Sequence, residues 1–233
     1  GHDPRSDATA TGIGGVDMNT RQQPVLIAAG GTGGHMFPAV SLASALSARG
    51  HSILFVTDPR GGLVTSDVLG LPKTVMRHTI SARSLGGGPK GMAAGVKALA
   101  KGFFESRRLI REYKPSIAVG FGGYPSVPPI LAAGFAGLPT VIHEQNAVLG
   151  RANRRLARGA KAFALSFAQT QRLKSAGHAR ATVVGNPVRQ DIAALAARPY
   201  TPPSGVIDLL IVGGSQGAQV FSKIAPAAFK SLT

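Results

Sequence analysis

Two short apolar runs in this chain end in glycine clusters, and each cluster leads into a stretch with helical spacing. PVLIAA (24–29) runs into Gly30, Gly31, Thr32, Gly33, Gly34 and His35, and IDLLIV (207–212) runs into Gly213, Gly214, Ser215, Gln216, Gly217 and Ala218. A buried strand that breaks into glycines and then enters a helix is a device for approaching anions. Glycine tolerates positive φ and close backbone approach, while the helix start offers unpaired N–H groups and partial positive charge. Two such turns imply two mononucleotide-binding-type halves and a phosphorylated ligand between them.

The rest of the chain alternates in the same way. Further strands are expected at 52–57, 116–121, 140–144, 161–166 and 181–185, with helices at 38–49, 91–113, 125–137, 147–158, 168–176, 190–197 and 216–231. Continuous apolar strands separated by helices predict an α/β fold, a doubly wound parallel sheet covered on both faces. Right-handed crossovers then put every strand-to-helix turn on one edge, where ligands bind in such folds.

Composition narrows the class. Of 233 residues 44% are hydrophobic, enough for a real core, and there is no cysteine, hence no disulfide and no thiolate metal site. No uninterrupted apolar run is long enough to span a bilayer. The net charge is +16, concentrated in 73–114, with ten Lys and Arg against Glu105 and Glu112, and in 151–189, with nine and no acid. Such fields attract phosphorylated substrates, anionic lipid or nucleic acid.

Residues 1–21 lack the apolar core of a signal peptide and are expected to be a disordered leader or a cloning remnant. Residues 22–190 are expected to form an N-terminal α/β domain. A linker is expected over 191–205, where RPYTPPSG (198–205) holds three prolines and a glycine. Residues 206–233 then read as the first βα unit of a second Rossmann-like domain whose remainder is absent.

The first glycine turn is not the dinucleotide fingerprint, because Met36 stands where G-x-G-x-x-G needs its last glycine. Only Asp58 follows the second strand as an acid, ahead of Pro59 in a loop, and no ATP-type P-loop occurs. His35 falls in the first helical turn beside the expected anion site. Histidine exchanges protons near neutral pH, so His35 is either a general base for a sugar hydroxyl or a donor to phosphate. GFGGYPSVPP (120–129) offers a second cradle through Gly120, Gly122 and Gly123, with Tyr124 and Ser126 supplying hydroxyls; its helix is expected at or after Pro128 and Pro129. His143, Glu144, Gln145 and Asn146 stand in a row at a strand's carboxyl end, a position more typical of site than of core. Asn146 is alternatively a helix cap. Arg189, in GNPVR (185–189), has the forked geometry that grips phosphate or stacks on flat rings.

The stretch 91–113 is amphipathic. Met92, Val96, Leu99, Phe103 and Ile110 share a face that core packing explains, beside a stripe of Lys97, Lys101, Phe104 and Arg108. A phenylalanine among cations also suits a surface resting on anionic lipid.

Taken in order, GGTGGHMFPA, GFGGYPSVP, HEQNAVLGRANR, GNPVR and GGSQGA resemble the MurG glycosyltransferases over residues 24–233. The resemblance implies a GT-B architecture of two Rossmann-like domains. It also implies an inverting transfer of N-acetylglucosamine from UDP-N-acetylglucosamine to undecaprenyl-pyrophosphoryl-N-acetylmuramoyl-pentapeptide in peptidoglycan synthesis, at the cytoplasmic face of the bacterial inner membrane. By resemblance, Thr32, Gly33, Gly34, Asn146, Arg189 and Ser215 match donor-contacting positions. Gly31, His35, Gly122, Gly123 and Tyr124 match loops proposed to hold the acceptor diphosphate, and His35 matches the proposed base. Glu144 and Gln216 are supporting residues, and Lys97, Lys101, Phe104 and Arg108 the membrane contact. The family's later donor loops have no counterpart in this chain, which is therefore expected to be inactive alone.

No D-x-D occurs, so no metal or other cofactor is expected; fixed dipoles and Arg189 would stabilise the leaving diphosphate. Two rivals stand beside this reading: a GT-B transferase with another acceptor, and a non-catalytic lipid- or nucleic-acid-binding module. The chain lacks RNA-binding strand motifs and zinc-finger spacing, so nucleic acid is not an expected partner.

Overall fold

The computed structural model describes residues 23–60, 71–202, 204–206, 209–213 and 218–231. Seven strands are β1 (Val25–Ala28), β2 (Ile53–Thr57), β3 (Met76–Thr79), β4 (Ile117–Gly120), β5 (Thr140–Glu144), β6 (Ala162–Leu165) and β7 (Ala181–Val183). They form one parallel sheet in the order β3-β2-β1-β4-β5-β6-β7. The order reverses at β1, so the crevice between the turns after β1 and β4 is the topological switch point. The expected doubly wound sheet is thus present.

Alternate residues of β1 feed two cores. Leu26 and Ala28 join Leu54, Ala118, Ile130 and Ile142 on one face, and Ile27 and Ala29 join Met36, Val40, Phe55 and Phe121 on the other. The helices are α1 (Gly33–Ala48), α2 (Gly88–Tyr113), α3 (Val127–Phe135), α4 (Arg151–Leu156), α5 (Ser175–His178), α6 (Gln190–Ala194) and α7 (Ala218–Lys230). Among the described residues no helix is long and apolar enough to cross a membrane.

Several boundaries differ from expectation, each for a physical reason. Helix α1 starts at Gly33 rather than 38, because the Thr32 carbonyl accepts the His35 and Met36 N–H groups at 3.1 Å each. Helix α3 starts at Val127, with Pro128 and Pro129 in its first turn, where a missing N–H is harmless. The helices expected at 147–158 and 168–176 shrink to α4 and α5 because their leading segments bond to each other. The Leu149 N–H donates to the Gln171 carbonyl at 3.0 Å, and the Gln171 N–H to the Ala147 carbonyl at 2.8 Å. Strand β3 has no counterpart among the expected elements; it is an edge strand whose Arg77 and His78 hide the usual apolar pattern.

The face expected to bury Met92 and Val96 is rotated. Both are more than half exposed, and the buried positions of α2 are Gly95, Gly102, Ser106 and Ile110. Small residues win here because the backbone passes close: a Cβ on Gly95 would lie 2.7 Å from the Ser84 carbonyl oxygen, and one on Gly102 would run into that of Ser81. Glu105 reinforces this approach, accepting the Ser81 N–H at 2.6 Å.

The chain divides into two compact units, one ending at Ala193 and one starting at Ala194. In the second, residues 209–212 were expected in a strand, yet they carry no strand and Leu209, Leu210, Ile211 and Val212 are exposed. Strand hydrogen bonds come only from a neighbouring strand, and among the described residues none pairs with them. The glycine turn after them, with Ser215 and Gln216, lies outside the described residues.

A candidate phosphate-binding site at the sheet switch point

The turn after β1 and the turn after β4 meet. Gly31 has φ +90° and Gly122 and Gly123 have φ of +86° and +73°, conformations that favour glycine. A Cβ on Gly123 would lie 2.5 Å from the Gly30 carbonyl oxygen, and one on Gly30 would lie 2.7 Å from Pro125 and 2.9 Å from the Asp58 carboxylate. Side chains at these positions would hold the loops apart. Helix α1 then begins without a side-chain cap; the His35 N–H bonds to the Thr32 carbonyl, and the Gly33 and Gly34 N–H groups remain available to an anion. Tyr124 opens a 3₁₀ turn over Tyr124–Ser126, which Ser126 ties down through a 2.9 Å bond from its Oγ to the Gly123 carbonyl.

His35, half-buried, lies against the β4 turn. A Cβ on Gly122 would come within 3.3 Å of its Nδ1 and Cε1, and one on Gly123 within 3.4 Å of its Cδ2. Its Nδ1 is 3.3 Å from Oε1 of Gln145, whose Nε2 donates to the Phe121 carbonyl at 3.0 Å. Gln145 therefore connects the turns after β1, β4 and β5. Its sequence position places it in a polar row without revealing a role, because its partner lies 110 residues away.

That polar row splits by depth. His143 and Glu144 are buried, at 3% and 1% exposure, while Asn146 is exposed. Glu144 organises the next loop: Oε1 accepts the Asn146 N–H at 3.1 Å and its Nδ2 at 2.9 Å, and Oε2 accepts the Gly150 N–H at 2.8 Å and Asn153 Nδ2 at 2.9 Å. Asn146 thus does not cap a helix; Gly150 holds the N-cap of α4, and the Asn146 amide folds back onto Glu144.

His143 stacks on Phe121 with ring centres 5.0 Å apart, and its Nε2 lies 3.2 Å from the Gly185 carbonyl. Burial holds its pKa below the ordinary histidine value, partly opposed by that hydrogen bond and by Glu144. The folded protein therefore resists protonation that the unfolded chain accepts, so this contribution to stability is present above about pH 6.5 and is lost as the pH falls through the lowered value. Replacing His143 by Gln keeps a donor for Gly185 and removes the titration. The loss of urea midpoint between about pH 7 and about pH 5 should be smaller in His143→Gln than in the parent; an equal loss would assign the acid sensitivity to other groups.

Gly33 and Gly34 also line a cleft of about 230 Å³ with Phe37, Asn186, Val188 and Arg189. The Arg189 guanidinium lies 4.8 Å from the Phe37 ring centre, and its Nε is 3.5 Å from Asp191. Of the residues expected to contact a donor, Gly33, Gly34 and Arg189 come together here. Asn146 sits on the separate β5 loop. Asp58, set aside in the sequence as a loop acid, is 1% exposed and pairs with Arg60 at 2.8 Å. Among the described residues no three His, Asp or Glu side chains gather as a metal site.

On α2, Lys97, Lys101, Phe104 and Arg108 are all exposed, and Lys101 lies 3.8 Å from Glu105. Phe103 stands between Phe104 and Phe135, with ring centres 5.6 Å away on each side. Phe135, 77% exposed on α3, extends the apolar surface and was not singled out in the sequence.

Residues 25–165 match the model of the glycosyltransferase family 28 N-terminal domain. The chain is 48% identical over 211 residues to the UDP-N-acetylglucosamine--N-acetylmuramyl-(pentapeptide) pyrophosphoryl-undecaprenol N-acetylglucosamine transferase of Rhodospirillum centenum, covering 90% of this chain and 55% of that protein. It is equally similar, 48% over 212 residues, to the enzyme of the same name from Acidiphilium cryptum, covering 90% and 56%. The chain thus spans about half the length of the curated relatives it matches. Among solved structures it is similar to Acinetobacter baumannii MurG, with a TM-score of 0.62 and 31% identity over 89% of this chain and 57% of that one. The UDP-GlcNAc 2-epimerase of Methanocaldococcus jannaschii shares the fold, at a TM-score of 0.52 and 14% identity, covering 70% and 45%. The motifs, the switch-point site and these likenesses agree: the chain belongs to glycosyltransferase family 28, and its seven-stranded unit is the N-terminal half of a GT-B fold.

Proposed function

We propose that this chain is the acceptor-binding half of an inverting transferase that moves N-acetylglucosamine from UDP-N-acetylglucosamine to undecaprenyl-pyrophosphoryl-N-acetylmuramoyl-pentapeptide. The observation that carries the reading is the meeting of the Gly31–His35 helix start with the Gly122–Tyr124 turn. Two glycine-lined donors of N–H groups, with a histidine between them, suit a diphosphate whose sugar presents a hydroxyl to that histidine. His35 takes the hydroxyl proton as the oxygen bonds the anomeric carbon and UDP leaves with the electron pair of the broken bond. Gly33, Gly34 and Arg189 face the departing diphosphate, where fixed dipoles and a cation lower the barrier, and no step of this reading uses a metal.

Calorimetry on the 233-residue chain tests the division of labour. A soluble sugar pyrophosphate that mimics the acceptor should bind, and UDP-N-acetylglucosamine should bind weakly and not turn over. Micromolar affinity for UDP-N-acetylglucosamine with none for the acceptor analogue would reverse the assignment.

The acceptor's polyprenyl chain stays in a bilayer, so the acceptor half works at its surface, on the cytoplasmic face of the inner membrane. The apolar contact is Phe104, Phe135, Met92 and Val96, bordered by Lys97, Lys101 and Arg108. Each cation near an anionic leaflet contributes on the order of 1 kcal/mol. The chain should therefore sediment with vesicles containing phosphatidylglycerol, much less with neutral ones, and lose binding in high salt. Lys97→Glu with Lys101→Glu should weaken sedimentation while the far-UV spectrum is unchanged; undiminished sedimentation would move the contact to the Arg151–Arg158 cluster.

A further inference from the structure

We propose that Gln145 is a positioning residue that holds His35 in the tautomer whose Nε2 carries the free lone pair. The Phe121 carbonyl can only accept a hydrogen bond. The Gln145 amide must therefore turn its nitrogen toward it, and the 3.0 Å contact with Nε2 is that bond. The opposite orientation would set two oxygen lone pairs against each other. With the amide fixed, Oε1 faces Nδ1 of His35 at 3.3 Å. An amide oxygen also only accepts, so Nδ1 must carry the hydrogen.

A neutral imidazole holds one ring hydrogen, so placing it on Nδ1 leaves Nε2 as the acceptor. Among the described residues nothing hydrogen-bonds Nε2, whereas the Nδ1 edge is closed in by Gly122 and Gln145. The inference rests on the reading of His35 as the group that takes the acceptor's proton, and it supplies what that reading lacks, the reason the correct nitrogen is basic. When the hydroxyl proton moves to Nε2, the imidazolium keeps Nδ1–H on the amide oxygen, a bond that strengthens as the donor gains charge. The orienting group is an uncharged amide, held in turn by backbone, and it stands to His35 as an orienting third group stands to the base of a nucleophile–base pair.

Long-range proton–nitrogen correlation spectra of the ¹⁵N-labelled 233-residue chain, taken in mildly alkaline buffer, read the ring hydrogen directly; a His35→Asn sample assigns the signals. The parent should show His35 with hydrogen on Nδ1, against the preference of free histidine for Nε2. Gln145→Leu should return the ring to the Nε2–H form, and Gln145→Ala, too short to reach either partner, should do the same if the leucine variant fails to fold. A parent already in the Nε2–H form, or folded variants that keep Nδ1–H, would overturn the proposal. In a chain extended to the length of its relatives, Gln145→Leu should lower kcat by about tenfold with little change in either KM, a split that mere loss of folded protein would also give unless the urea midpoint is unchanged. If the tautomer behaves as expected while His35→Ala retains normal turnover, the lock stands and the assignment of His35 as base falls.

Discussion

Replacing His35 by alanine, in a chain extended to the length of its relatives, should lower kcat by roughly 10²–10⁴ while donor KM moves little. The residue sits in the first turn of α1, against the β4 turn, so it adjoins both loops assigned to the diphosphate. A group there that takes a proton only as the new bond forms acts on the transition state and not on donor binding, hence the split between the two constants. The other role considered for His35, donation to phosphate, predicts a different pattern: acceptor affinity weakens and kcat at saturating acceptor survives. Steady-state kinetics with each substrate varied separately tells these apart. Near-normal values of all constants would remove both roles.

The sheet was legible because parallel strands in a sheet interior read as apolar runs, and six of the seven strands were expected from such runs, among them the edge strand β7, two of whose three residues are exposed. The exception, β3, is an edge strand with half its residues in solvent, and MRHT has no apolar run to find. Helix ends were less legible where the backbone had a better partner than its own next turn. The Gln171 peptide bonds to Ala147 and Leu149, and the Gly150 N–H to Glu144, so two expected helices lost their first turns. On α2 the inward face was misjudged because a glycine pressed against a neighbouring backbone is invisible to a hydrophobic pattern, while the exposed Met92 and Val96 satisfy it.

The site was legible as far as its glycines. The clusters after β1 and β4 directly follow a strand, and that local fact suffices to place a turn at the ligand edge. What joins the turns was not legible, because Gln145 reaching His35, Arg189 lying over Phe37 and Phe135 meeting Phe103 are contacts between segments distant in sequence. Glu144 shows the same limit from another side. Its position in a polar row at a strand end suggested a supporting place in the site, and only the fold reveals that its carboxylate is spent on four N–H groups, three in the following loop and one from Asn153 on α4.

Removing that carboxylate should be among the most destabilising single changes available in the chain. Glu144 is 1% exposed, and its four donors belong to Asn146, Gly150 and Asn153. In Glu144→Ala the exposed Asn146 groups turn to water. The Asn153 amide is 2% exposed, however, and keeps only its 3.1 Å bond to the His143 carbonyl, while the Gly150 N–H loses the partner that starts α4. A buried donor left unsatisfied costs about 1–3 kcal/mol, and a cavity adds to it, so the total should be about 3–5 kcal/mol. Glu144→Gln is the more pointed variant because it conserves volume. All the partners are donors, so whichever end carries the amide nitrogen opposes N–H to N–H, and the isostere should still lose about 2 kcal/mol or more. Urea titration of parent and both variants at neutral pH reads these differences. A glutamine variant as stable as the parent would mean that the loop finds other partners, and Glu144 would return to the supporting role in the site that its sequence position first suggested.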